Sequence, residues 1–292
     1  MDLHTSYLGL RLDNPLVASA SPLSATVDGV RHLADAGVGA VVLPSLFEEQ
    51  LRGEDLRDLV LMEAHEEAFG EALSYFPSAP VEAPGGAGRY LDLVARAVDA
   101  VNVPVIASLN AANLGSWVEF ARLIEDAGAA ALELNIYAVP GDVHTSGRAV
   151  EDQCVEIVEQ VAEEVSIPVA VKLGPHYSAF GSMAVRLAAS GASGLVLFNR
   201  FLQPDIDIER MAPAPGFALS SRDEGRLPRT WIALLHGRLG LSLAGTTGVD
   251  RSDDVVKYLL AGADVVMTAS ALLRHGVGHA GVLLDGLRSW MV

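Results

Sequence analysis

The stretch DAGAAALEL, residues 126–134, decides the fold, because it is one of four versions of the same phrase. DAGVGAVVL occupies 35–43, ASGASGLVL 189–197 and LAGADVVMT 260–268. In each, a helical segment ends at a glycine that can take the left-handed C-cap, and an apolar run follows within about three residues. Four copies mark the same helix-to-strand junction. Working outward, short β-rich runs alternate with segments of helical period along the whole chain. The expected strands are Leu16–Ser21, Ala40–Ser45, Pro104–Asn110, Ala130–Ile136, Pro168–Gly174, Gly194–Asn199, Leu241–Gly248 and Val265–Ala271. Runs such as AVVLPS, PVAVKLG and GLVLFN lack the polar alternation of a half-wet antiparallel sheet and suit parallel strands buried on both faces. Eight such strands predict an α/β protein built as one closed (β/α)8 TIM barrel, a single domain over residues 1–292.

Composition agrees. The chain has 292 residues, of which 50% are hydrophobic and 20% charged, which excludes a disordered or collagen-like chain. Its formal charge of −17 argues against nucleic acid or an anionic membrane surface as a partner. The single cysteine, Cys154, cannot form an internal disulfide, and the first residues lack the basic start and apolar core of a signal peptide, so the expected location is the cytoplasm. No apolar run reaches the roughly 18 residues of a membrane span.

Two stretches break the rhythm and read as insertions after strands two and six. The first, between Phe47 and Tyr90, carries the acidic EEQLRGEDLRDLVLMEAHEEAFGEAL, expected to be helical, and then a Pro/Gly-rich turn over Ser78–Gly88 that includes the GAGR at Gly86. The second lies between Arg200 and Pro228 and holds Pro204, Pro213 and Pro215. Both follow a strand, on the end where barrel enzymes keep their chemistry, and are candidate lids.

Polar residues at strand C-termini are the next signal. Asn110, Asn135, Lys172 and Asn199 stand there on strands three to six. One buried amide can be structural; four in corresponding positions point to a site. Lys172, in VAVKLGP, is the strongest single residue, since a buried ammonium needs an anionic or electron-rich neighbour. That neighbour is either a ligand or Glu133 on the adjacent strand. Strand seven runs into Ala244-Gly245-Thr246-Thr247-Gly248 and strand eight into Thr268-Ala269-Ser270-Ala271, and loops after these strands commonly grip phosphate in such barrels. No metal site is expected: the histidines lack ligand spacing, HExxH is absent, and one Cys cannot build a zinc or iron–sulfur site. GxSxG, Walker A and a strand-linked GxGxxG are also absent.

These residues resemble the FMN-dependent dihydroorotate dehydrogenases and the related dihydropyrimidine dehydrogenase domains, essentially end to end. The resemblance rests on Asn14-Pro15-Leu16-Val17 with Ala18 to Ser21, on Glu133-Leu134-Asn135, on Val171-Lys172-Leu173-Gly174-Pro175, on Asn199, on Gly245 to Val249, and on Ala269-Ser270. It implies one FMN in the barrel, its phosphate held by Thr247, Gly248, Ala269 and Ser270. It further implies that Lys172 lies near the flavin N1/O2 edge, where a cation favours the reduced, anionic ring. Ala20, Ser21, Ser45, Asn110, Asn135 and Asn199 would line the flavin, with Ser220 and Ser221 in the turn after strand six. Relatives commonly dimerise, and some pass electrons to a separate iron–sulfur partner, so a homodimer and a redox partner are both expected.

The departures fall on the substrate half. The family's catalytic loop reads like N-x-S-C-P-N or carries Ser at the Cys position; here Asn135 is followed by Ile136-Tyr137-Ala138-Val139-Pro140, so Ala138 stands where the base belongs. The family's lysine before the flavin-contacting serine is replaced by Pro44, and EALSYFPSAP offers no counterpart of NxxGLPN. Tyr137, or His144 further along the same loop, would then supply the proton. The reading is an FMN oxidoreductase that moves hydride between flavin and a small substrate with an activated CH–CH or C=C bond, other than dihydroorotate. The alternatives are a flavin-free phosphate-binding lyase or isomerase using Lys172, and a non-catalytic FMN-binding subunit of a redox complex.

Overall fold

A computed structural model describes residues 2–47, 86–110, 114–136, 141–200, 205–214 and 218–292. A two-stranded antiparallel hairpin, β1 (Thr5–Tyr7) and β2 (Leu10–Leu12), precedes the barrel. The barrel strands are β3 (Leu16–Ala18), β4 (Ala40–Phe47), β5 (Val105–Asn110), β6 (Ala131–Ile136), β7 (Val169–Leu173), β8 (Gly194–Leu197), β11 (Ser242–Gly245) and β12 (Val265–Thr268). All eight pair in parallel and close in the order β3-β4-β5-β6-β7-β8-β11-β12, back to β3. Every expected strand is present. β3, β8, β11 and β12 end two or three residues early.

The repeated junctions have the expected geometry: Gly37, Gly128, Gly191 and Gly262 all have φ between 90° and 102°, each just after a helix and before a strand. The strands are buried on both faces, as their lack of alternation predicts. Outward residues such as Leu16, Val41, Leu43, Leu132 and Leu134 pack in one large cluster with the surrounding helices. Inward residues Val17, Ala40, Val42, Ile106, Ala131, Ala170, Val196, Ala244, Val265 and Met267 form a second cluster with Tyr7, Leu8 and Leu12 of the hairpin. The hairpin is therefore the floor of the barrel. It is tied down by Thr5 Oγ1 donating to the Asp264 carbonyl (2.9 Å) and by Leu8 N–H donating to Ser242 Oγ (3.0 Å).

The acidic insertion lies almost wholly outside the described residues, but its end is corrected: Gly86–Arg89 opens the helix Gly86–Ala100 rather than completing a turn. A helix can start on Gly-Ala-Gly when a following amphipathic face, here Tyr90, Val94 and Ala97, is buried. In the insertion after β8, β9 (Asp205–Asp207) and β10 (Ala212–Ala214) form a small antiparallel hairpin. No helix among the described residues is long and apolar enough to cross a membrane.

The segments that follow β8 and β11 are locked together by one buried carboxylate. Asp254, 1% exposed, receives the Arg222 guanidinium in two bonds of 2.8 and 3.0 Å and the backbone N–H groups of Arg251 (3.0 Å) and Asp250 (3.3 Å). Burial alone would raise its pKa, but these donors outweigh it and leave the carboxyl below its ordinary value. A carboxylate depressed in the folded state adds stability above its unfolded pKa, and that stability is lost as pH falls through the folded value. Asp254→Asn is expected to cost about 3 kcal/mol at neutral pH, the low end for a broken buried pair because Arg222 remains partly exposed. Urea unfolding from pH 7 down to 3 should show the parent converging on the flatter profile of the variant below about pH 4. Parallel curves would show that Asp254 does not carry the acid sensitivity.

Candidate active site

Strand alternation sorts the barrel interior into layers. β6 turns Ala131, Glu133 and Asn135 inward, β5 turns Ile106, Ser108 and Asn110, and β7 turns Ala170 and Lys172. The lowest layer is apolar and rests on the hairpin; the layers above are polar. On β4 strict alternation from Val42 would aim Pro44 inward. Instead Val42 pairs with Ile106 and Ser45 with Ser108, so two residues face one and the strand bulges. The bulge brings Ser45, not Pro44, into the interior. It also leaves local backbone groups to be satisfied from outside the ladder, and Tyr90 does this: its hydroxyl lies 3.0 Å from both the Ser108 carbonyl and the Ser108 N–H.

The inward polar side chains make one continuous network. Asn199 Nδ2 donates to Asn135 Oδ1 (2.6 Å), Asn135 Nδ2 to Ser45 Oγ (3.1 Å), and Ser45 and Ser108 share a hydrogen bond of 2.8 Å. Ser108 Oγ and Lys172 Nζ both donate to Glu133 Oε1 at 3.3 Å. Asn110 Nδ2 donates to the Asn135 carbonyl (2.7 Å). The sequence-predicted Asn110, Asn135, Lys172, Asn199 and Ser45 are thus brought together, joined by Ser108 and Glu133. Ser108 had no motif to betray it, but its place two residues before Asn110 on a strand is the signal that would have found it.

A second cluster gathers the residues expected around a phosphate. Gly248 N–H donates to Ser220 Oγ (3.3 Å), Ser220 N–H to Ser270 Oγ (3.1 Å), and Thr247 Oγ1 to the Phe198 carbonyl (3.2 Å). Thr247 and Gly248 have φ of 76° and 71°, and a Cβ at Gly248 would stand 2.6 Å from the Gly225 nitrogen, so the turn needs glycine there. The Tyr258 hydroxyl lies 2.7 Å from the carbonyls of both Thr246 and Thr247 and props the turn from below. Gly245 makes room for that ring, since a Cβ there would meet it at 2.2 Å. Ala269 precedes the helix Ser270–His275 and offers no side-chain cap to its N–H groups. Ser221 N–H donates to Glu224 Oε1 (2.7 Å), Ala20 packs against the inner cluster, and Ser21 Oγ accepts from Leu23 N–H (3.3 Å). All of these residues follow strand C-termini, at one end of the barrel.

Two candidates remain. Tyr137 lies outside the described residues, as does Ala138. His144 is exposed, its backbone N–H donating to Asp142 Oδ1 (3.0 Å), and is not joined to the network. Cys154 offers no substitute nucleophile or base: it is buried on the helix Gly147–Glu164, 4.0 Å from the Tyr177 hydroxyl, and burial pushes its thiol up to about 12.

A family model described as dihydroorotate dehydrogenase matches residues 2–291. The chain belongs to the dihydroorotate dehydrogenase family. It is 27% identical over 286 residues to a protein of Thermoplasma acidophilum named dihydroorotate dehydrogenase B (NAD(+)), catalytic subunit, covering 94% of this chain and 89% of that one. A protein of the same name from Desulforudis audaxviator is 26% identical over 284 residues, 95% of this chain and 89% of the relative. The one from Halalkalibacterium halodurans reaches 30% over 185 residues, 61% of this chain and 60% of its own. As a dihydroorotate dehydrogenase family member the chain is an FMN-dependent oxidoreductase acting on CH–CH groups. The flavin-free lyase reading of Lys172 thereby loses its support.

The residues present fit FMN. An amide, hydroxyl and ammonium layer above an apolar floor suits a flat heteroaromatic ring with polar edges. Lys172 spends one of its three N–H groups on Glu133 and has two left among the described residues.

Proposed function

We propose that this member of the family passes hydride between FMN and a small substrate that carries an activated CH–CH or C=C bond and is not dihydroorotate. The observation that carries the reading is the split between the two halves of the site. The polar network from Asn199 to Lys172 and the Gly248–Ser220–Ser270 chain are intact, whereas the sequence has Ala138, Pro44 and EALSYFPSAP where the family keeps its base and its substrate contacts.

When bound, FMN supplies the two-electron exchange. Thr247, Gly248, Ala269 and Ser270 hold its phosphate, with Ser220 and Ser221 closing the turn beside them. Ala20, Ser21, Ser45, Asn110, Asn135 and Asn199 line the ring. Lys172 would present to the ring edge, where negative charge collects on reduction, the N–H groups that Glu133 leaves available among the described residues, and the apolar floor would keep water from weakening that interaction. Tyr137 or His144 carries the proton to or from the substrate carbon. The chain works as a homodimer, as the resemblance implies, and a separate redox subunit supplies any iron–sulfur cluster, because the chain's one cysteine cannot bind one of its own. The relatives' description as NAD(+)-type catalytic subunits favours such a partner.

Anaerobic mixing with a panel of cyclic and open-chain compounds holding a CH–CH bond beside a carbonyl tests the reading. Bleaching of the flavin by one of them identifies the substrate class. With that compound, Tyr137→Phe or His144→Gln should slow bleaching by about 10²-fold or more. If neither does, the proton comes from elsewhere, and if nothing on the panel bleaches the flavin, the proposed substrate class is wrong. The phosphate turn is tested separately: Tyr258→Phe should weaken FMN binding about 5- to 30-fold, the equivalent of roughly 1–2 kcal/mol for a lost buried hydrogen bond. Unchanged affinity in a fluorescence titration would detach Tyr258 from the cofactor.

A further inference from the structure

The Glu133 carboxylate is 1% exposed, yet it is poorly satisfied. Oε1 receives Lys172 Nζ and Ser108 Oγ at 3.3 Å each, and Oε2 is buried with no hydrogen-bond partner among the described residues. Its electrostatic neighbour below, the Tyr7 hydroxyl, is also buried and has no partner among the described residues; burial, and then the Glu133 charge, make that phenol harder to ionise. A buried ion pair with long bonds and an orphaned oxygen is a poor device for holding a fold together, since an apolar pair of the same volume would do as well or better. The sheet does not need it either: the inward positions one layer down, Ala131, Ala170 and Ile106, are apolar. What Glu133 does is place a compensating negative charge against the one cation of the network.

We propose that Glu133 is a positioning residue that sets, through Lys172, how strongly bound FMN is held in its reduced form. The inference rests on Lys172 facing the flavin, as in the function proposed above. The ammonium attracts the negative charge that collects on the reduced ring; the carboxylate behind it cancels part of that field and anchors Nζ so that its two other N–H groups point to the ring. The pair thus gives the site a cation weaker than a bare lysine, and poises the flavin between taking hydride from a substrate and giving electrons to an acceptor.

The test is the midpoint potential of the FMN-loaded protein, measured by equilibration with indicator dyes, which involves no turnover. Lys172→Met should shift it to more negative values. Glu133→Gln, which keeps the shape and an accepting oxygen but removes the charge, should shift it to more positive values. Glu133→Asp, which draws the charge back by one methylene, should give a smaller positive shift and serves where the Gln variant does not fold. In the Lys172→Met background, adding Glu133→Gln should shift the potential by a different amount than it does in the parent, the difference being the part that runs through Lys172; equal shifts in both backgrounds would make Glu133 an independent charge and overturn the proposal. A merely structural Glu133 would lower thermal stability or FMN content and leave the potential of the reloaded protein unmoved, which overturns the proposal. If Lys172→Met itself moves nothing, the placement of Lys172 at the flavin fails as well, so the two failures are told apart.

Discussion

Mixed anaerobically with dihydroorotate, the flavin of this protein should be reduced at least about 10²-fold more slowly than that of the Thermoplasma acidophilum relative measured alongside it. Oxidising a CH–CH bond to C=C removes a hydride from one carbon and a proton from its neighbour. A positioned base contributes typically 10²–10⁴-fold to such a step, and the Ala138 methyl group cannot accept a proton. Reverting only that position, Ala138→Cys, should recover little, because Pro44 and EALSYFPSAP still lack the family's substrate contacts. Stopped-flow absorbance of the flavin reads both results. Rates comparable to the relative's would mean that dihydroorotate is the substrate after all and that another group serves as base.

The second large effect belongs to Lys172. With whichever compound bleaches the flavin, Lys172→Met should slow reduction by about 10²–10³-fold, the scale seen when one preorganised donor is taken from a developing anion. Stability should suffer too, because the substitution leaves the Glu133 carboxylate alone in an interior where only 1% of the residue is exposed. Stopped-flow rates on variant protein saturated with FMN separate the two consequences. A variant that melts earlier but reduces at the parental rate would make Lys172 a structural residue.

The barrel could be read from its repeated junctions because the requirement they express is local: a helix must end, and a glycine with positive φ lets the next strand start within three residues. The layered interior was half legible. Period-two alternation places Asn110, Asn135 and Lys172 on inward positions of buried strands, where polar groups stand out. Ser45 was reached through the resemblance, but the bulge that aims it inward comes from the pairing of β4 with β5, which no single-strand pattern contains. The floor hairpin and the β9–β10 hairpin escaped notice because three-residue strands carry no periodicity. The Arg222–Asp254 clamp escaped for another reason: its partners are 32 residues apart, and only the closed topology makes them neighbours. Glu133, the adjacent-strand partner that the sequence offers Lys172, is in contact with it. That contact and a flavin beyond it are compatible, because an ammonium has three donors.

The floor of Tyr7, Leu8 and Leu12 has an evolutionary meaning. What closes the barrel below is made of apolar side chains from the first dozen residues, and, on the function proposed above, what meets the substrate comes from loops above, with the flavin-facing wall between them. Inheritance can therefore act on the three tiers separately. A lineage can exchange its upper tier, losing one base and recruiting another compound, without unsettling the core that folds the chain or the wall that tunes the flavin. Such a chain keeps its family likeness from end to end while its chemistry moves to a new metabolite.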